Sequence, residues 1–250
     1  ADGYSSLLRV LQWCLSLDVR VVTIYAFSID NFKRPKEEVD ALMGLAEEKF
    51  LEFIKHKALV MEHDIRVRIL GKLDLLPERV KRAAASVMHA TAGHKKLTLN
   101  ICFSYTSGEE TSSTVKRVVD AARQGLLSKD DVDEHFLSQC LYTRGSDPDL
   151  LVRTSGETRL SDFLIWQCNR AHLCFLDTTW PELRVWQFLT CVWDYQANRL
   201  ARPHSSPDAD HAQDSAAAQR KERQRRFLEQ LDAEELERCA PWLENPAACT

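Results

Sequence analysis

The residues best equipped for chemistry lie between Asp149 and Gln167, which reads DLLVRTSGETRLSDFLIWQ. The stretch opens on Leu150-Leu151-Val152, a short apolar run of the kind that forms a buried parallel strand. Two arginines and four hydroxyls then crowd around one glycine, in Arg153-Thr154-Ser155-Gly156-Glu157-Thr158-Arg159-Leu160-Ser161. A second apolar run, Phe163-Leu164-Ile165-Trp166, closes the segment. A donor-rich loop between two buried runs is a binding loop on a rigid scaffold. The planar donor fork of arginine suits phosphate, and Gly156 permits positive φ or close approach of a ligand. The composition equally fits a surface loop whose arginines pair with nearby acids such as Asp162.

Two further polar loops lie at the ends of apolar strands. Val21 to Phe27 is β-branched and aromatic, which favours a strand. It delivers Ser28-Ile29-Asp30-Asn31-Phe32-Lys33-Arg34-Pro35. Leu97 to Phe103 is another strand, and it delivers Ser104-Tyr105-Thr106-Ser107-Gly108-Glu109-Glu110. In open α/β sheets, ligands bind beyond the carboxyl ends of strands. The alternative for the first loop is a βα connection whose Ser, Asp and Asn merely cap the next helical turn.

The elements that must position these loops alternate. Helical spacing begins at Ser5. Pro35, Glu37 and Glu38 mark a helix start, and Val39, Leu42, Met43, Ala46, Phe50, Phe53 and Ile54 give that helix an apolar face. A strand at Ile65 to Leu70 ends at Gly71. Helices are expected at Pro77 to Ala92, from the end of the Ser104 loop to Ala122, and at Lys129 to Leu141. Leu173 to Leu176 reads as a last strand. Trp180 to Leu200 reads as a helix with an aromatic face of Trp186, Phe188, Trp193 and Tyr195. Strands alternating with helices predict the α/β class, a mostly parallel sheet with helices on both faces. All three polar loops should then leave one edge of that sheet.

From Arg202 the composition changes. The expected organisation is a domain over 1–200, a Pro/Ser/Asp-rich linker over 201–215 and a charged helical tail over 216–250. The basic block Arg220 to Arg226 and the thin stripe Phe227, Leu228, Leu231 and Leu236 would fit a membrane surface or a partner. Offsetting acids from Glu229 to Glu237 make a solvated helix the simpler expectation.

At 250 residues the chain holds one sizeable core, or a core plus a tail. A net charge of −4 argues against general nucleic-acid binding. No apolar run approaches the roughly 20 residues that span a bilayer. The eight cysteines form no CxxC pair, and several sit within apolar runs, so buried intracellular thiols are expected rather than disulfides or zinc.

These loops resemble those of the cis-prenyltransferase (undecaprenyl diphosphate synthase-like) family, closest to its eukaryotic dehydrodolichyl diphosphate synthase branch. Tyr25 to Arg34 resembles the family's YAFSxENFKR segment, with Asp30 where Glu is usual. Leu99 to Tyr105 resembles a further family block. Arg153 to Gln167 matches RTSGExRLSDFLxWQ almost throughout, and Trp180-Pro181-Glu182 matches the WPE beyond it. The resemblance covers about residues 3 to 200.

The resemblance implies the cis-prenyltransferase fold and a transferase that adds isopentenyl diphosphate to an allylic diphosphate such as farnesyl diphosphate, for dolichol synthesis and protein glycosylation. Two diphosphates held close against their repulsion require several cations and backbone donors. The resemblance assigns Arg153, Arg159, Leu160 and Ser161 to isopentenyl diphosphate. It places Ser28, Ile29, Asp30, Phe32 and Arg34 near the diphosphates, and Asn31 where it helps to position or deprotonate the substrate. It also assigns the helix from Val39 to Ile54 to a tunnel for the growing chain, although the periodicity fits core packing equally well.

It further implies Mg2+, a Nogo-B receptor-type partner subunit in a heteromer, and peripheral association with the cytosolic face of the endoplasmic reticulum membrane. The family's Asp-Gly-Asn-Arg-Arg loop, which supplies the metal-binding aspartate, is absent, so no residue here is assigned to metal. Since the chain starts Ala1-Asp2-Gly3 and enters directly into a helix, that loop is expected upstream. Residues 1–250 alone are then expected to show no prenyl transfer. Gly108 stands where the family has Arg, and His172 where bacterial members carry a second metal-site Glu. Two alternatives stay open: a non-catalytic subunit or pseudoenzyme of a prenyltransferase complex, and a binder of nucleotide or small phosphate ligands.

Overall fold

The computed structural model describes residues 3–55, 58–201 and 215–243. The chain divides into two compact units, one of residues 7–110 and 232–250, the other of residues 1–6 and 111–231. Each is taken by itself.

The first unit is built on three parallel strands, β1 (Val21–Ser28), β2 (Ile65–Leu70) and β3 (Leu97–Tyr105), in the order β1-β3-β2. β3 lies between the other two and is buried almost throughout. That explains its near-continuous apolar run. β1, with one neighbour, buries only Phe27. Its pairing with β3 slips around Ala26, so Tyr25 meets Cys102, Phe27 meets Phe103 and Ser28 meets Tyr105. α1 (Gly3–Ser16) leads into β1.

α2 (Lys36–Glu52) and α3 (Leu59–Glu62) connect β1 to β2, and α4 (Glu78–Ala90) connects β2 to β3. α2 buries Met43, Ala46 and Phe50. α4 buries Ala83, Ala84 and Ala85 alongside Val80, Val87 and Met88, small side chains that permit close packing. Thr91 ties α4 to β2. Its hydroxyl donates to the Val87 carbonyl (2.8 Å) and accepts from the Val67 amide (3.0 Å). Gly71 ends β2 at φ +144°, and a Cβ there would stand 2.2 Å from the Phe103 carbonyl oxygen. Only glycine fits this position.

In the second unit, β4 (Leu150–Arg153) pairs in parallel with β5 (His172–Phe175). α5 (Ser107–Arg123), α6 (Glu134–Cys140), α7 (Val185–Ala201) and the first part of α8 (Ser215–Leu243) complete it. The expected parallel pairing holds throughout the described strands. They are distributed between a three-stranded and a two-stranded sheet.

Several expectations change. The helix anticipated over Lys129 to Leu141 is a 3-10 turn at Lys129–Asp131 and then α6, because the Asp133 carboxylate caps the Phe136 amide at 2.7 Å and starts a new helix. Trp180 to Leu200 likewise divides into a 3-10 turn at Trp180–Glu182 and α7. The four aromatics of that stretch do not share a face. Phe188 is buried, whereas Trp186 and Trp193 are 59% and 72% exposed.

The C-terminal helix is packed rather than solvated. Phe227 and Leu231 enter a core with Val118, Ala121, Leu127, Phe136 and Cys140, and Leu228 packs against it. Arg223 clasps the fully buried Asp131 through two hydrogen bonds of 2.7 Å, Gln224 donates to the Asp131 carbonyl, and Arg220 pairs with Asp133. The acids of the helix leave these contacts intact. In the first unit, Glu235 receives Arg68 at 2.8 Å, and Lys81 stands over the Trp242 ring. The expected linker falls mostly on residues 202–214 and the last residues of the tail on 244–250, outside the described residues.

All seven described cysteines are buried free thiols, as expected. Burial raises the Cys14 and Cys168 thiols to about 11 and those of Cys140 and Cys174 to about 12. They remain unreactive near neutrality.

Candidate active site

In the first unit the register Ser28↔Tyr105 brings the ends of β1 and β3 side by side, and two of the three polar loops start there. The first winds at once into a 3-10 turn, Ile29–Lys33. Ser28 Oγ accepts the Asp30 amide (3.2 Å), and Asn31 Oδ1 accepts the Ser28 amide (2.9 Å). The capping alternative is thus realised as a capping box. It also leaves Asn31 a donor, since its carbonyl oxygen is committed while its NH2 lies outside the box. Ile29 and Phe32 are half-buried, the latter because its ring lies 5.0 Å from Phe27. Asp30 and Arg34 are exposed and paired, with Lys33 (2.7 Å) and Glu38 (2.5 Å).

Beside this turn, Tyr25 donates its hydroxyl to the Tyr105 carbonyl (3.1 Å), and Tyr105 donates its own to the buried Glu110 carboxylate (2.5 Å). Burial first, and then the Glu110 charge, push the Tyr105 phenol far above its ordinary range, so it stays a donor. Sequence reasoning placed Tyr105 and Glu110 on a polar loop but missed this pair. The available signal was an acid five residues beyond a tyrosine at a strand end. α2 sends Phe50 against Phe103 at 5.5 Å.

In the second unit β4 delivers Arg153. Its carbonyl accepts the Leu176 amide (2.8 Å), and the Ser155 and Gly156 amides reach Thr178 and Leu176. These bonds hold the loop against the segment beyond β5. Gly156 sits at φ +69°, and a Cβ there would stand 3.5 Å from Asp177 Oδ1. Ser155, Ser161, Asp162 and Leu164 also adopt positive φ. Non-glycine residues hold such backbone only when their surroundings impose it, a recurring mark of ligand-binding loops.

Within the loop, Arg153 Nη2 stands 3.5 Å from Ser161 Oγ, and Arg153 Nε is buried without a hydrogen-bond partner. Arg159 is exposed and pairs with Glu157 at 2.5 Å, while Leu160 is half-buried. The structure therefore brings Arg153 and Ser161 together and leaves Arg159 facing solvent. The run expected to bury the far side of the loop does so only in part: Leu164 is buried, but Ile165 is 49% exposed. Trp166 is fixed by donation to Ser138 Oγ (2.8 Å).

Among the described residues no group of three His, Cys, Asp or Glu could hold a metal ion. None of the described helices is long and apolar enough to cross a membrane.

A parallel α/β scaffold with arginine- and hydroxyl-bearing loops at strand ends defines the class, a parallel α/β fold. The family model for putative undecaprenyl diphosphate synthase matches residues 1–202, and the chain belongs to this prenyltransferase family. The human dehydrodolichyl diphosphate synthase complex subunit DHDDS is 44% identical over 199 residues, 79% of this chain and 60% of that protein. The mouse counterpart is 41% identical over 224 residues, 89% of this chain and 65% of that protein. The chain thus spans somewhat under two thirds of these relatives' lengths. The crystal structure of lavandulyl diphosphate synthase from Lavandula x intermedia, in complex with dimethylallyl diphosphate, superposes with a TM-score of 0.70 at 26% identity, covering 78% of this chain and 83% of that one.

Proposed function

We propose that this chain acts in a cis-prenyltransferase that condenses isopentenyl diphosphate with an allylic diphosphate, farnesyl diphosphate, to make the long-chain polyprenyl diphosphate used for dolichol and protein glycosylation. The observation that carries the reading is the Arg153–Ser161 pair on a loop of imposed positive φ. A guanidinium with an unpartnered buried Nε, beside a hydroxyl and a glycine, suits a diphosphate. The names of the human and mouse relatives, both subunits of a dehydrodolichyl diphosphate synthase complex, support the product class over the pseudoenzyme alternative.

In this reading Arg153, Arg159, Leu160 and Ser161 take isopentenyl diphosphate. Arg159 exchanges Glu157 for the ligand, and the exposed Arg34 likewise exchanges Glu38 for a diphosphate. The backbone of Ser28, Ile29, Asp30 and Phe32 serves the same function. Bond formation to the allylic carbon expels its diphosphate, and the proton lost from the homoallylic substrate passes to that departing diphosphate. Asn31 has its carbonyl oxygen engaged, and a neutral amide is a feeble base, so its role is to orient the substrate through its NH2.

Mg2+ would neutralise diphosphate charge, with no residue of this chain assigned to it. A Nogo-B receptor-type subunit and peripheral attachment to the cytosolic face of the endoplasmic reticulum complete the reading. The test is incorporation of radiolabelled isopentenyl diphosphate by the full-length gene product, with and without that subunit. Long-chain product only with the subunit is the expected result. Product without it overturns the heteromer, and no product from folded protein in either case restores the pseudoenzyme.

A further inference from the structure

In the second unit α5 holds a guanidinium that is only partly satisfied. Arg117 is half-buried. Among the described residues it forms no ion pair, and its Nε and Nη2 are buried with no hydrogen-bond partner. Its Cζ stands over the Tyr142 ring, 5.9 Å from the centroid. One turn earlier on the same face of α5, Thr114 is 2% exposed, and its Oγ1 is also buried without a partner. Residues three apart on a helix are neighbours. Helical side chains lean toward the N-terminus, so Arg117 reaches back toward Thr114. Three groups able to donate thus lie buried along one helix face with no acceptor.

The pattern has a filled counterpart in the same unit. Nε and Nη2 form the side edge of the guanidinium fork, and Arg223 uses that edge to clasp both oxygens of Asp131 at 2.7 Å each. Arg117 offers the same edge with no carboxylate on it. Water would satisfy these donors yet leave the charge unanswered, and a buried charge without a counterion is costly. Arg144 adds to the field. It acts on the Cys140 thiol together with Arg117, so two positive charges converge there. An anion removes this imbalance. Two of its oxygens fill the Arg117 edge and a third suits the Thr114 hydroxyl, which favours a tetrahedral oxyanion over a carboxylate.

We infer that the Arg117 edge and the Thr114 hydroxyl form a binding site for a small tetrahedral oxyanion of the phosphate type, held between α5 and Tyr142. The site is separate from the Arg153 loop, and the inference does not rest on the activity proposed above. Because the anion binds only the folded chain, it acts as a stabilising ligand of the second unit.

The test uses the purified full-length gene product carrying Arg153→Ala, so that the Arg153 loop does not contribute. Equilibrium dialysis against radiolabelled phosphate, at neutral pH and an ionic strength fixed with sodium chloride, should show a single saturable site per chain. Arg117→Met in this background should abolish it, and Thr114→Val should weaken it about fivefold to tenfold. Sulfate should compete with the label, whereas acetate, with two oxygens, should compete poorly. Thermal unfolding separates a ligand site from a merely structural one. Without phosphate, both variants should unfold no lower than the parent, because each removes a buried group that is unsatisfied there. Phosphate at about ten times its dissociation constant should raise the parent's Tm by roughly 3–5 °C and leave Arg117→Met unmoved. Thr114→Val, which keeps the side chain's shape, decides the matter if Arg117→Met does not accumulate. Absence of saturable binding by the folded parent overturns the inference. So does binding that both variants retain, or acetate that displaces phosphate at equal concentration.

Discussion

Arg153 is the residue on which the functional reading turns, and its geometry makes the consequence of losing it specific. Its guanidinium lies beside Ser161 with a buried, unpartnered Nε. Arg153→Ala should weaken isopentenyl diphosphate binding about tenfold to a hundredfold, the worth of one or two charge-assisted hydrogen bonds. Arg153→Lys should recover only part of it, because a point charge cannot replace the fork. Equilibrium binding checks both. Tyr105 makes a different kind of contribution. Tyr105→Phe leaves the buried Glu110 carboxylate without that donor, and thermal unfolding should show a loss of about 1–3 kcal/mol. The Arg153 loop was legible in the sequence because its residue types are explicit. The Asn31 capping box was legible only as an alternative. The Tyr105–Glu110 bond and the Arg159–Glu157 pair were not legible, because side-chain partners depend on rotamers that spacing does not specify.

Among the elements, α8 departs furthest from expectation. Its charge pattern suggested solvent, yet Phe227 and Leu231 pack into a core with residues of α5 and α6, and Arg223 neutralises Asp131. The sequence could not show this, since the receptor lies about ninety positions upstream and two acids there look like any helix start. The Arg223 hydrogen bonds, ahead of the contributions from Ser128, hold the Asp131 carboxylate at about 2. A carboxylate lowered on folding contributes stability that is complete above its unfolded value near 3.9 and is lost as pH falls through about 2. Docking of α8 should therefore be constant from neutrality to about pH 4 and weaken below it, a fall tracked by acid titration of ellipticity. Asp131→Asn should remove that acid dependence and cost about 1.5–3 kcal/mol at pH 7. Gly71→Ala should be more damaging than either, because its Cβ meets backbone at 2.2 Å and its φ of +144° is closed to alanine. Failure to accumulate folded protein would be the readout.

For the whole molecule, the order of strands and helices and their parallel pairing were legible in the sequence. The apolar runs within Ile65–Leu70, Leu97–Tyr105 and Leu150–Arg153 are explicit in composition, although in the last only Leu151 is buried. Grouping of the strands into two sheets was not legible, because alternation of strand and helix says which elements are parallel but not which are neighbours. The family assignment over residues 1–202 agrees with the resemblance carried by the Arg153 loop. The central claim is that this loop binds a diphosphate, and calorimetric titration of the chain with isopentenyl diphosphate tests it without requiring turnover. The account predicts saturable binding that is lost in Arg153→Ala and weakened in Ser161→Ala. No binding by the folded wild type, or binding that both variants retain unchanged, would contradict it.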